Sequence, residues 1–141
     1  MVKARDIMTT DVTWVKKETS IYEAGELLLR KDITGMPVVE DDMTIAGVIT
    51  EKDVLRLLHT DGSGKKTVED FMTWPAVYYE DENSIEPICN FLLFNYFRRV
   101  PVISSKTGKL VGIISRPDVL RHILKLRCPG TSAIVKTVGQ R

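Results

Sequence analysis

The chain writes one long pattern twice, and this repeat constrains the fold more than any other feature. Asp6-Ile7-Met8-Thr9 returns as Asp70-Phe71-Met72-Thr73, 64 positions on. At the same offset Ser20-Ile21 returns as Ser84-Ile85, and Pro37-Val38-Val39 as Pro101-Val102-Ile103. Gly47-Val48-Ile49-Thr50-Glu51-Lys52-Asp53 returns as Gly112-Ile113-Ile114-Ser115-Arg116-Pro117-Asp118, now 65 positions on, so one residue is gained in the turn between. A unit of this length, present only twice, predicts two fused domains packed on each other rather than a solenoid.

Within each copy the hydrophobic period changes in the same order. Val12–Val15 and Ala76–Tyr79 read as short strands. Ser20 and Ser84 then read as N-caps of helices, with apolar stripes on Ile21, Ala24, Leu27 and Leu28, and on Ile85, Ile88, Phe91 and Leu92. Met36–Val39 and Val100–Ile103 read as strands in which the proline is tolerated at the strand's start, where its missing donor costs little. Polar turns lead into hairpin partners, Ile45–Thr50 and Leu110–Ser115. The expected class is therefore α+β, two β-α-β-β-α repeats. Residues 1–61 form the first repeat, 62–66 a Gly/Ser/Lys linker, 67–127 the second repeat and 128–141 a C-terminal tail. Ala133-Ile134-Val135 in that tail reads as an extra strand or a disordered end.

Length and charge exclude several function classes. A chain of 141 residues suits one compact domain or two small units sharing a core, burying about two thirds of its unfolded surface. A net charge of +1 gives no argument for nucleic acid or a membrane surface. The second half carries the basic excess and is the half expected to meet a phosphate. Only Cys89 and Cys128 are present, without a CxxC pair, and no long apolar run occurs. These features point to a reducing cytoplasm and no membrane insertion. His59 and His122 lack ligand-spaced partners, so no metal site is expected. No nucleophile, base and orienting group recur together and no P-loop is present, which points away from an enzyme.

The two glycine-to-aspartate stretches carry the chemistry. Thr50 and Ser115 stand where a strand becomes a helix, each with an aspartate three residues on, as in a capping box. Capping alone leaves the shared aspartate unexplained. An ionised carboxylate repels phosphate and suits a ribose diol, while the hydroxyls and helix amides can face an anion. Val48 and Ile113, on the strands, can wall a purine. Structural cap and ligand group both remain open readings.

Together these motifs resemble a tandem pair of CBS domains, the cystathionine-β-synthase-type repeat that forms a Bateman module. The resemblance covers residues 4–126 and rests on both Asp-x-Met-Thr openings, both proline strands and both glycine-to-aspartate stretches. It implies two repeats packed through their sheets about a pseudo-twofold axis, with two clefts for AMP, ADP, ATP or another adenosine ligand such as S-adenosylmethionine. It also implies that each aspartate works with the segment before the proline strand of the other repeat. Asp118, Ser115 and Ile113 would then meet Ile33, Thr34 and Gly35, and Asp53, Thr50 and Val48 would meet Phe97, Arg98 and Arg99.

The copies are unequal where Ile33-Thr34-Gly35 becomes Phe97-Arg98-Arg99, and the arginines are the expected phosphate contacts. The stripe on Ile85, Ile88, Phe91 and Leu92, continued by Phe94 and Phe97, is expected to lie partly in a homodimer interface. The resulting expectation is a cytoplasmic nucleotide-sensing regulatory module. The alternative is a dimerisation or protein-interaction module with empty clefts, carried within a larger transporter or enzyme.

Overall fold

A computed structural model describes residues 1–127. The tail expected over 128–141, with Cys128 and Ala133-Ile134-Val135, lies outside the described residues. The first repeat runs β1 (Val15–Lys16), α2 (Ile21–Lys31), β2 (Gly35–Val39), β3 (Ile45–Thr50) and α3 (Glu51–Leu55), followed by a 3-10 turn over Arg56–His59. The second runs β4 (Tyr79–Glu80), α5 (Ile85–Phe94), β5 (Arg99–Ile103), β6 (Leu110–Ser115) and α6 (Arg116–Arg127). Ahead of each repeat stands a four-residue helix, α1 (Ala4–Ile7) and α4 (Val68–Phe71), made from the Asp-x-Met-Thr segment. The expected α+β class with its duplicated order is therefore present.

Each repeat builds a three-stranded sheet with the proline strand in the middle, β1-β2-β3 and β4-β5-β6. β1 lies parallel to β2, with Val15 opposite Val38, and β2 lies antiparallel to β3, with Met36 opposite Ile49 and Val38 opposite Gly47. The second sheet repeats this register, including a bulge between Val102 and Ile103 that matches the one between Val38 and Val39. The middle strand Gly35–Val39 is buried along its whole length. Such continuous burial explains an apolar run rather than alternation.

The first and fourth strands are shorter than the sequence pattern suggests. Thr9 and Ile113 exchange backbone hydrogen bonds of 2.8 and 2.9 Å, as do Thr73 and Val48 at 2.9 and 3.0 Å. The chain after Thr9 therefore leaves the second repeat's sheet and joins the first at Val15. Its residues between are spent on crossing rather than pairing.

The crossing divides the cores differently from the sequence repeats. Ala4 of α1 is buried with Ile88, Leu92, Val100, Val102 and Ile114 of the second repeat, with Ile7 and Met8 packed against them. Val68 and Phe71 of α4 are buried with Ile21, Ala24, Leu28, Met36, Val38 and Ile49 of the first. Each repeat thus closes its core with the other's opening helix. Strand-like bridges between the halves obey the same exchange. Swapping repeats turns Lys3–Ser84 into Thr67–Ser20 and Thr9–Ile113 into Thr73–Val48, and leaves Thr44–Lys109 on itself. A twofold relation between the halves requires that pattern.

Gly47 and Gly112 owe their recurrence to this packing. A Cβ at Gly47 would stand 2.7 Å from the Thr73 carbonyl oxygen and 2.9 Å from Met72 Sδ, and one at Gly112 would stand 2.9 Å from Met8 Cγ. The opening segment of one repeat lies directly against the strand of the other, and only glycine leaves room.

Two local expectations need correction. Ser20 Oγ accepts from the Tyr22 backbone N–H and caps α2, but Ser84 makes no side-chain cap on α5. Its strand-like bridge to Lys3 and the bond from Ile85 N–H to the Val2 carbonyl, 3.2 Å, serve that end. The α5 stripe is also split. Ile88 and Leu92 close the internal core, Phe91 stacks on Phe97 and meets Tyr79 edge-on, and Leu93 and Phe94 face outward.

Candidate functional site

The two recurring aspartates are the only buried charged side chains among the described residues, with 4% of Asp53 and 5% of Asp118 exposed. Burying a carboxylate is costly unless its oxygens are paired, and both are. Asp53 Oδ2 accepts from the Thr50 backbone N–H at 2.9 Å and from its hydroxyl at 3.0 Å. The Thr50 hydroxyl in turn accepts from the Asp53 N–H at 3.3 Å. Asp118 and Ser115 repeat this reciprocal cap at 2.8, 2.9 and 3.4 Å. Aspartate is short for a capping box, but it reaches here, so the structural reading of the motif holds.

The second oxygen of each carboxylate looks across the repeat boundary. Asp118 Oδ1 accepts from the Thr9 hydroxyl at 2.9 Å and from Arg121 at 2.6 Å. Asp53 Oδ1 has looser partners, Thr73 at 3.4 Å and Arg56 at 3.2 Å. A carboxylate offers about four acceptor sites, and the outer oxygen of Asp53 is the less fully engaged. The threonine closing each Asp-x-Met-Thr motif therefore serves the opposite repeat's aspartate. Its recurrence was visible in the sequence, but its partner was not.

A cavity of about 460 Å³ opens beside Asp53. Val48, Thr50 and Asp53 line one side, and Phe97, Arg98 and Arg99 of the second repeat line the other, as the cross-repeat arrangement requires. Thr34 and Gly35 also line it. The sequence reading grouped Thr34 with Asp118, but the Glu51 N–H donates to the Thr34 carbonyl at 2.9 Å and ties that residue to the start of α3. Lys52, Arg56, Thr73 and Tyr96 complete the wall, with Lys52 Nζ 5.2 Å above the Tyr96 ring. An adjoining apolar cavity of about 70 Å³ shares Val48, Thr73, Phe97 and Arg99 and adds Pro75, Ala76 and Val77. The sequence reading missed this apolar slot because it took residues 76–79 as a strand.

The matching space beside Asp118 is smaller, about 140 Å³. It brings together Ile113, Ser115 and Asp118 with Ile33 and Gly35, and adds Thr9, Asp11, Thr13 and Arg99. Arg99 borders both clefts. Its Nε is buried without a hydrogen-bond partner among the described residues. Burial pushes its guanidinium below the ordinary arginine value, opposed by the charge of Asp118 and reinforced by Arg98. No group of three or more His, Cys, Asp or Glu placed to hold a metal ion occurs among the described residues. Trp74 is 71% exposed and Trp14 is 39% exposed, so neither is a core residue.

Comparison with known proteins supplies independent findings. The family model for the CBS domain matches residues 4–60 and again residues 68–125. The chloroplastic CBS domain-containing protein CBSX1 of Arabidopsis thaliana is 32% identical over 148 residues, covering 85% of this chain and 62% of that protein. Hypoxic response protein 1 of Mycobacterium tuberculosis is 33% identical over 125 residues, covering 87% of this chain and 86% of its own length. The chain thus spans about three fifths of CBSX1 but most of the mycobacterial protein. The crystal structure of CBSX2 in complex with AMP superposes with a TM-score of 0.78 at 34% identity, covering 90% of this chain and 99% of that one.

Proposed function

The chain belongs to the CBS-domain family, with two copies in tandem, and on that premise we propose that it is a regulatory module binding an adenine nucleotide between its repeats. AMP, ADP and ATP are the ligands proposed, with S-adenosylmethionine as a further adenosine ligand, and the module does not convert what it binds. One observation carries the reading: the composition of the Asp53 cleft. A buried carboxylate with a lightly engaged oxygen suits ribose hydroxyls. An apolar slot adjoins it for a base, and arginines 98 and 99 stand opposite for phosphate. The AMP complex of the similar CBSX2 supports the same ligand class.

Calorimetry of the purified chain against AMP, ADP, ATP, S-adenosylmethionine and adenosine tests it. The expected result is saturable binding of at least one adenine nucleotide with no turnover of the bound molecule. Absence of heat and of thermal stabilisation with all five would overturn it. A low cysteine count suits a reducing compartment such as the cytoplasm, and no helix among the described residues is long and apolar enough to cross a membrane.

A second observation favours self-association, alone or together with nucleotide binding. Leu55 and Leu120 occupy matched positions and are exposed, as are Leu58 and Ile123, with Leu93 and Phe94 adding to the second repeat's share. Exposed apolar side chains recurring on both repeats suit a twofold homodimer. Light scattering that returns a dimer mass supports this arrangement. A 16-kDa particle at micromolar concentration, with and without nucleotide, removes it.

A further inference from the structure

The two clefts are related by the repeat, so each position in one can be compared with its counterpart in the other. Arg98 and Arg99 match Thr34 and Gly35, and Lys52 matches Pro117. Pro75 and Val77 of the apolar slot match Asp11 and Thr13. Arg99 and Gly35 line both clefts, but the Lys52, Arg98, Pro75 and Val77 positions each add cationic or apolar character on the Asp53 side only. Around Asp53 stand Lys52, Arg56, Arg98 and Arg99 against Glu51 and Asp53. Around Asp118 the lining carries Asp11 and Asp118 against Arg99, with Arg121, the counterpart of Arg56, held by Asp118. One cleft has an excess of cations and an apolar recess, and the other balances its charges beside a polar wall.

Size agrees with charge. Small-molecule sites are ordinarily about 300–1,000 Å³; the Asp53 cavity at about 460 Å³ falls inside that range, and the Asp118 cavity at about 140 Å³ falls below it. Lys52, Arg98 and Arg99 make no ion pair within 4.0 Å among the described residues, whereas Arg56 and Arg121 are each held by an aspartate. Three cations are therefore uncommitted in the larger cleft. Of these three only Arg99 lines the smaller cleft, and a single guanidinium cannot lie on a phosphate in both.

We propose that each chain takes one phosphate-bearing nucleotide, in the Asp53 cleft, and that the Asp118 cleft is closed to phosphate by Asp11 and by its want of uncommitted cations of its own. This rests on the reading of the module as a binder of adenine nucleotides and assigns that role to one of its two clefts. Arg98 and Lys52 are the groups that distinguish a phosphorylated ligand from adenosine, and Arg99 stands between the clefts as a shared cation.

The test combines stoichiometry with location. ATP and AMP titrated calorimetrically into the full chain should each bind one molecule per chain. Trp74 adjoins Thr73 and Pro75 of the Asp53 cleft, and Trp14 adjoins Thr13 of the Asp118 cleft. In Trp14→Phe the remaining Trp74 fluorescence should change on adding ATP, and in Trp74→Phe the Trp14 fluorescence should not. Arg98→Thr, which installs the residue of the matched position, should weaken ATP by about tenfold or more while leaving adenosine within about twofold. Two phosphate-bearing nucleotides per chain, a response from Trp14, or equal losses of ATP and adenosine in Arg98→Thr would overturn the assignment and leave nucleotide binding standing. No binding of ATP, AMP or adenosine to the wild type would overturn both.

Discussion

The Thr9 hydroxyl donates to Asp118 Oδ1 at 2.9 Å across a sequence separation of 109 residues, joining the first motif of the chain to the last. The bond matters because the carboxylate is buried and Thr9 also shares a two-way backbone bridge with Ile113. Removing one partner of a buried charged acceptor costs about 1–3 kcal/mol. Thr9→Val should therefore destabilise the chain within that range in urea unfolding. Thr73→Val should cost less, because its bond to Asp53 is stretched to 3.4 Å. Equal losses would mean that the threonines act only through β-strand geometry.

The glycines facing these segments give a second contrast. Alanine at Gly47 meets the Thr73 carbonyl, which is backbone and cannot swing away, whereas at Gly112 the nearest atoms belong to the flexible Met8 side chain. Overpacking of this kind costs about 1–3 kcal/mol. Gly47→Ala should be the more damaging change, and Met72→Ala should not rescue it. Gly112→Ala should be partly rescued by Met8→Ala. Thermal melts of the four variants and the two pairs decide the matter.

Much of this organisation was legible in the sequence, and the losses have a physical cause. The repeat, the hairpins and the Thr50–Asp53 and Ser115–Asp118 caps are local patterns, readable from spacing alone. That Asp53 lines one cavity with Arg98 and Arg99 was legible only through the family resemblance. What no local pattern carries is the exchange of α1 and α4 between cores. The same exchange turns residues 12–14 and 76–78 from strand into crossing segments and puts Pro75, Ala76 and Val77 beside a cleft.

The exchange also makes a prediction about acid. Lys3 and Arg5, in and beside α1, pair with Glu82 of the second repeat. The Lys3 hydrogen bond, ahead of the Arg5 charge, holds the Glu82 carboxyl below the ordinary glutamate value. A carboxylate depressed in the folded state stabilises it above the unfolded pKa, and that contribution fades as pH falls through the folded value. Stability of the wild type should thus decline on acidification below the usual carboxylate range. Glu82→Gln should lower stability near neutrality and flatten part of that decline. An unchanged pH profile would show that the pairs are too solvated to matter.

The diol assignment of the aspartates is separable from their structural role. Asp53→Ala removes a cap and leaves Arg56 without its ion-pair partner, so loss of affinity in that variant alone proves little. The ligand can be changed instead. AMP should bind the wild type about ten- to a hundredfold more tightly than 2′-deoxy-AMP, the worth of about 1.5–3 kcal/mol for hydrogen bonds to a charged acceptor. Equal affinities would return Asp53 to a purely structural role.

Arg99 is the residue on which the nucleotide reading is most exposed to contradiction. It lines both clefts, its Nε is buried without a partner, and Asp118 is the charge that opposes the effect of its burial. A phosphate in the Asp53 cleft would add a second counter-charge to a guanidinium already partly withdrawn from water, where charge-assisted bonds are strongest. Arg99→Ala should weaken AMP by about tenfold or more and leave adenosine nearly unchanged. In the wild type the preference for AMP over adenosine should shrink as salt rises, and in Arg99→Ala that salt dependence should be reduced. A parallel loss of both ligands, with an intact fold by circular dichroism, would place Arg99 in the wall of the base slot. No loss of either would show that its charge serves Asp118 alone.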